Sequence, residues 1–203
     1  MERVVFFIDG FNLYHAIVGN NHKYAAYRWL NLEKLCQNFI RKDQSIKKIL
    51  YFSAFASWMP EKMKRHQIYV RALELNNVKF VPGKFKTKDK ICLKCRKTFQ
   101  THEEKQTDVN IAIKLFQEAS NDTFDTAIVI SGDSDLIPSV EAVRETFPAK
   151  KVGIIIPIER KAEELKHAAD FYIKMKEIHL KTAQFPDVVE KDGVKIFKPD
   201  EWK

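Results

Sequence analysis

Aspartates placed at the ends of apolar runs are the residues of this sequence best suited to chemistry. Asp9 directly follows Val4-Val5-Phe6-Phe7-Ile8, so the chain leaves a buried strand and at once presents a carboxylate, with Gly10 permitting the turn and Asn12 close behind. Ser131-Gly132-Asp133-Ser134-Asp135 repeats the arrangement after Ala127 to Ile130, adding two carboxylates and two hydroxyls. Asp108 falls in the first turn of an expected helix, where the positive end of the dipole favours the ionised form. Carboxylates gathered this closely repel, and unless a cation neutralises them one or more takes up a proton at a raised pKa. A hard divalent ion resolves that conflict. Mg²⁺ prefers near-octahedral oxygen ligands, keeps several waters, and binds through one or two protein carboxylates plus substrate phosphate oxygens. Any one of these aspartates alone reads as a turn former or a helix cap. Asp9, Asp108, Asp133 and Asp135 together, all on carboxyl-side loops or first helical turns of one expected sheet, read as a shared site for Mg²⁺ or Mn²⁺. Asn12 and Ser131 either orient a water or phosphate there or satisfy local backbone donors.

A second group of residues is basic. Lys84, Lys86, Lys88, Lys90, Lys94, Arg96 and Lys97 stand against a single acid, Asp89, and lead straight into the Asp108 helix. The stretch is expected beside the acidic pocket, where it offsets the repulsion of a polyanion and makes salt-dependent phosphate contacts, with Phe85 or Phe99 placed to stack an unpaired base. A solvated, mobile loop is the plain alternative. Cys92-Leu93-Lys94-Cys95 has metal-knuckle spacing, and a cationic loop with almost no core of its own would gain order from Zn²⁺. Two thiolates are half a site. His102 is the nearest further ligand in sequence, and a symmetric homodimer would supply the missing half. Cys36 reads as a core residue and the six histidines as surface residues. No Gly-x-Ser-x-Gly elbow supports a serine nucleophile.

The elements that must position these groups alternate along the chain. Short β-branched and aromatic runs at 3–8, 48–55, 78–81, 127–130, 151–156 and 171–173 read as strands. Helical periods fall at 11–18, 30–40, 60–75, 135–145 and 160–169, and another helix starts where Thr107 serves as a cap. Leu32, Leu35, Cys36, Phe39 and Ile40 form the expected buried face of one helix, and Val109, Ala112, Ile113 and Phe116 that of another. Residues 84–106 show no clear periodicity and read as an excursion from the fold. This rhythm predicts a doubly wound α/β domain over residues 1–180, with a mostly parallel sheet flanked by helices and ligands bound beyond the carboxyl ends of the strands. The tail, 181–203, carries Asp192-Gly193 between Val188-Val189 and Val194 to Phe197, the signal of a β-hairpin packed on the domain.

Composition narrows the partners. The 35 Lys and Arg against 27 Asp and Glu leave a formal charge of +8, which favours a polyanion. No apolar run approaches the ~20 residues needed to span a bilayer, and the start lacks a signal peptide's layout, so a cytoplasmic protein without membrane contact is expected. Three cysteines, an odd number, argue against a disulfide framework.

Taken in order, Val5-Phe6-Phe7-Ile8-Asp9-Gly10-Phe11-Asn12, Lys105-Gln106-Thr107-Asp108-Val109-Asn110 and Ser131-Gly132-Asp133-Ser134-Asp135-Leu136 resemble the signature blocks of the NYN domain. That family belongs to the PIN-like nucleases, and its LabA-like branch is the nearest resemblance, over residues 3 to 175. The resemblance implies a Rossmann-like fold and Mg²⁺- or Mn²⁺-dependent cleavage of RNA, single-stranded or structured. It makes Asp9, Asp108 and Asp133 the core acids, puts Asp135 at a fourth acidic position, and places Asn12 and Ser131 among the polar residues lining the pocket. The expected chemistry is metal-assisted hydrolysis by an endoribonuclease, with no covalent intermediate. Two other readings stand beside it: a catalytically silent RNA-binding module of the same fold, and a phosphatase acting on small phosphorylated molecules, which the charge balance disfavours.

Overall fold

The computed structural model describes residues 1–19 and 22–202 of the chain. Its centre is β1 (Glu2–Asp9), whose last six residues are all buried. Strand alternation sends Val4, Phe6 and Ile8 to one side of the sheet and Val5 and Phe7 to the other, so β1 belongs to two cores at once. It pairs in parallel with β2 (Gln44–Ser53) on one edge and with β6 (Thr126–Ile130) on the other. Adding β3 (Val78–Pro82), β7 (Lys151–Ile156) and β8 (Phe171–Lys174) completes a six-stranded parallel sheet in the order β3-β2-β1-β6-β7-β8.

Helices cover both faces. The helices α1 (Gly10–Val18), α2 (Leu32–Gln37), α3 (Pro60–Leu75) and α7 (Glu177–Thr182) pack on the Phe6 side, with Trp29, Leu35 and Leu73 fully enclosed there. On the Phe7 side lie α4 (Thr107–Ser120), α5 (Ile137–Thr146) and α6 (Glu163–Ala168). Phe7 stacks near Phe52 and edge-on to Phe124, each with ring centroids 6.4 Å apart. Truncating it to alanine is expected to cost about 3–5 kcal/mol, because both the apolar burial and the filled volume go. Gly10 is required where α1 begins: a Cβ there would lie 2.6 Å from the Phe52 carbonyl oxygen.

Several expectations are corrected. The 84–106 excursion is ordered: β4 (Lys84–Ile91) and β5 (Thr98–Lys105) pair antiparallel as a separate two-stranded ribbon. Its strands escaped the sequence reading because much of the ribbon is exposed, so no apolar alternation marks them. Thr107 is not the cap of α4. Gln106 takes that position in the left-handed region (φ 79°), and the Glu104 carboxylate accepts from the Thr107 N–H at 3.1 Å. The helix also turns a different face inward. Thr107, Ile111, Leu115, Glu118 and Ala119 are buried, whereas Val109, Ile113 and Phe116 are exposed. The 30–40 segment is helical only over α2, and a 3-10 turn over Ser134–Leu136 precedes α5.

The tail forms the expected hairpin from β9 (Val188–Lys191) and β10 (Val194–Phe197), with Asp192 and Gly193 both at positive φ. Val189 and Ile196 join the Phe6-side core, and the Trp29 indole N–H donates to the Pro186 carbonyl at 2.8 Å. His66 is half-buried rather than fully at the surface: Tyr51, Phe55 and Phe80 pack near it, and burial pushes its pKa down to about 4. Cys36 is buried. No helix among the described residues is long and apolar enough to cross a membrane.

Candidate metal centre

Setting the ribbon aside, the main strands run in the order 3-2-1-4-5-6, so the topology reverses between β1 and β6. The crevice beyond the carboxyl ends of strands at such a reversal is where open α/β sheets bind ligands. β1 ends on Asp9, β6 leads into Ser131-Gly132-Asp133, and α4 brings Asp108 from the first turn. Asp9, Asp108 and Asp133 each offer a carboxylate oxygen, and the three atoms lie within 4.8 Å of one another.

Neutral donors hold the aspartates in place. The Asn12 N–H donates to Asp9 Oδ1 at 2.9 Å and the Ser131 hydroxyl to Asp9 Oδ2 at 2.8 Å. Ser131 Oγ also accepts from the Asp133 N–H at 3.1 Å, so one buried hydroxyl fixes both strand ends. Asn12 Oδ1 accepts from the Gly132 N–H at 3.0 Å, tying the loop after β6 to α1. Both residues therefore position the carboxylates.

Burial and mutual repulsion dominate the electrostatics of the cluster. Burial pushes the Asp9 pKa up, opposed by the Asn12 and Ser131 hydrogen bonds and reinforced by Asp133 and Glu104. Asp108 is pushed up to about 6, first by burial and then by the charges of Asp9, Asp133, Glu104 and Asp135. An all-oxygen donor set of converging carboxylates fits a hard divalent ion such as Mg²⁺ or Mn²⁺, which would remove this repulsion.

Sequence reasoning placed some residues differently. Asp135 stands outside the close cluster, exposed, with its N–H donating to Asp133 Oδ1 at 3.1 Å. The fourth acid lining the pocket is Glu104, and Phe11, His15 and Arg160 line it as well. Glu104 arrives from the base of the ribbon, opposite Phe85. Arg160, from the loop after β7, is the pocket's own cation; burial first, and then the Arg160 charge, lowers the pKa of His15. Nothing in the sequence singled out these residues, because no local pattern shows which loops share a crevice.

The basic residues are arranged otherwise than expected. Lys84, Lys86, Lys88 and Lys90 alternate along β4 onto one ribbon face, while Phe85 and Thr87 share the other with their partners Glu104 and His102. The lysine row thus runs along the face opposite Glu104, and among the described residues no lysine lines the pocket. Lys88 and Lys90 pair with Glu103 at 2.8 and 3.1 Å, holding its pKa down at about 2. Lys94, Arg96 and Lys97 sit at the exposed tip. Where the ribbon meets the domain, the Trp58 ring stacks on His102 at 3.8 Å and Phe85 sits edge-on to both Trp58 and Phe11. His102 is consequently far along the ribbon from Cys92 and Cys95 and does not complete their site.

Comparison with known proteins agrees with this architecture. A crystal structure of a protein of unknown function from Vibrio parahaemolyticus RIMD 2210633 superposes with a TM-score of 0.60 at 17% identity, covering 87% of this chain and 94% of that one. The 6-hydroxy-3-succinoylpyridine 3-monooxygenase of Pseudomonas putida is 24% identical over 190 residues. That alignment covers 76% of this chain, which spans 59% of the relative's length. The sequence matches the NYN domain over residues 3–177, which contain all three clustered aspartates and the ribbon, and the chain belongs to that family.

Proposed function

We propose that this chain is a metal-dependent ribonuclease in which Asp9, Asp108 and Asp133 hold Mg²⁺ or Mn²⁺ and hydrolyse RNA phosphodiester bonds. The observation that carries the reading is the convergence of three carboxylate oxygens within 4.8 Å at the reversal point of the sheet. When bound, the ion would acidify a water to a usable nucleophile and stabilise charge on the phosphate oxygens.

The chain's own residues supply the rest. Ser131 and Asn12 hold Asp9 and the loop carrying Asp133, so the donor set is assembled before substrate arrives. Arg160 presents a guanidinium suited to a non-bridging phosphate oxygen on the rim. Glu104 faces the same space and can accept a proton from the attacking water. Phe11, Phe85 and Trp58 give the ribbon base an aromatic surface on which an unpaired base can stack. Residues 1–180 act as the nuclease domain, and the tail hairpin buttresses the Phe6-side core. Family membership and the positive net charge support a nucleic-acid substrate.

The Pseudomonas relative is named as a monooxygenase of 6-hydroxy-3-succinoylpyridine. This chain continues from β1 as Asp9-Gly10-Phe11-Asn12, which puts a carboxylate where dinucleotide-binding folds place glycines against a pyrophosphate, and that favours hydrolysis. The test is incubation of labelled single-stranded RNA with purified protein and Mn²⁺, beside the Asp9→Asn variant. Metal-dependent cleavage by the wild type alone is the expected result. RNA retention without cleavage by either protein would instead support the silent binding module.

A further inference from the structure

The ribbon carries two thiols that the acidic pocket does not use. Cys92 directly follows β4, and the chain turns back at once: the Cys92 N–H donates to the Lys97 carbonyl at 2.9 Å and the Arg96 N–H to the Cys92 carbonyl at 2.8 Å. Arg96 takes a left-handed backbone (φ 58°), which tightens the turn. Hydrogen bonding from the Cys95 and Lys94 backbone and from the Cys95 thiol lowers the pKa of Cys92. Donors aimed at a sulfur favour its thiolate. The turn is therefore built as a two-sulfur knuckle, and both cysteines are free.

The same chain cannot complete the site. His102, the nearest candidate, pairs with Thr87, five residues back from Cys92 and so about 16 Å away at about 3.3 Å per residue. Its ring is engaged by Trp58, and its Nδ1 lies 3.2 Å from the Thr87 hydroxyl. Among the described residues the only group of three or more potential metal ligands is Asp9, Asp108 and Asp133.

The surroundings of the knuckle indicate what completes it. Ile91, Leu93 and Phe99 are 61%, 96% and 48% exposed, Ile91 and Phe99 on opposite faces of the ribbon's end and Leu93 in the turn between the strands. Lys94, Arg96 and Lys97 surround it. Two such tips alone would repel. With four thiolates around one Zn²⁺ the centre carries a net charge of about −2, so each tip's cations meet an anion.

We infer that Zn²⁺ joins two copies of this chain tip to tip, held tetrahedrally by Cys92 and Cys95 of each. Thiols still protonated release their protons to solvent as the ion binds. Each ribbon spans about 26 Å at about 3.3 Å per residue, so the two acidic pockets would stand on the order of 50 Å apart, at opposite ends of one basic rod.

The test measures zinc content and mass on the full chain, kept reduced, loaded with Zn²⁺ and dialysed against excess Mn²⁺, which fills the acidic pocket. We expect half an equivalent of zinc per chain and a mass twice 23.8 kDa by light scattering, returning to 23.8 kDa on chelation. The Cys92→Ser and Cys95→Ser variants should hold no zinc and remain at the single-chain mass, with unchanged far-ultraviolet circular dichroism and Mn²⁺ uptake to show the domain intact. One zinc per monomeric chain, a wild type that retains no zinc, or a dimer that survives both chelation and serine substitution would each overturn the assignment. Neither readout depends on RNA cleavage, so this inference and the proposed nuclease activity fail separately.

Discussion

The acidic pocket and the basic ribbon both concentrate charge of one sign, and they tolerate it by opposite means. In the pocket, Asp9 is buried and held by Ser131 and Asn12, which also bond the backbone of the loop carrying Asp133, so these two carboxylates cannot readily move apart. The energy holding them there comes from the two apolar cores that fix β1 beside β6. In the ribbon the lysines stand in water, where like charges cost little, and Glu103 neutralises part of the row. Burial thus converts a carboxylate cluster into a binding site for one ion, whereas exposure leaves a basic row fit for many weak, screened interactions.

The largest effect should come from the pocket. Asp9→Asn is expected to lower the cleavage rate at least about a thousandfold, roughly 4 kcal/mol of transition-state stabilisation, measured on labelled RNA with Mn²⁺. The same logic predicts that Asp108→Asn stabilises the metal-free protein above pH 6, because a repelling charge is gone. With that side chain half in solvent, the gain should be on the order of 1 kcal/mol by urea unfolding. A metal-free variant less stable than wild type would contradict the idea that the pocket stores repulsion.

Arg160 ranks next. As the pocket's own cation, Arg160→Ala should lower kcat about a hundredfold, with Mn²⁺ affinity unchanged or raised. An equal reduction on mutating a ribbon lysine would place the phosphate contact elsewhere.

A pH series separates the two regions directly. Asp108 titrates near 6 when folded, above the ordinary carboxylate value of 3.8, so between those pH values the folded protein keeps a proton that the unfolded chain has released. That contribution to metal-free stability is present below about pH 4 and is lost as pH rises through 6. Mn²⁺ competes with that proton, so the rise in Tm on adding Mn²⁺ should be clear at pH 7 and mostly gone at pH 5. Glu103, held at about 2 by Lys88 and Lys90, stays ionised throughout, and ribbon pairing should not change over this range.

The smallest effect belongs to the ribbon. Replacing Lys84, Lys86, Lys94, Arg96 and Lys97 by glutamine should weaken RNA binding about tenfold and flatten the salt dependence by about 0.7 for each phosphate no longer neutralised. Mn²⁺ uptake should be untouched.

Local sequence was sufficient wherever the signal was local. Continuous apolar runs marked β1, β6 and β7, and Asp192-Gly193 marked the tail turn, because alternation and positive-φ residues act over a few positions. Asp9, Asp108 and Asp133 were legible because each marks the end or start of such an element. The β4–β5 ribbon was not, since a two-stranded element open to solvent needs no apolar face.

Other features depend on the assembled sheet. The helix α4 has two apolar stripes at helical spacing, and only the position of the sheet selects Ile111, Leu115 and Ala119 over Val109, Ile113 and Phe116. Glu104 and Arg160 enter the pocket while Asp135 stays outside the close cluster, because strand order and helix rotation determine which loops share the crevice. Sequence thus decided which elements form and where their carboxylates emerge, since backbone and apolar periodicity act between near neighbours. Tertiary structure decided which of those ends meet, since Asp9 and Ser131, 122 positions apart, are brought within hydrogen-bonding distance only by the pairing of β1 with β6.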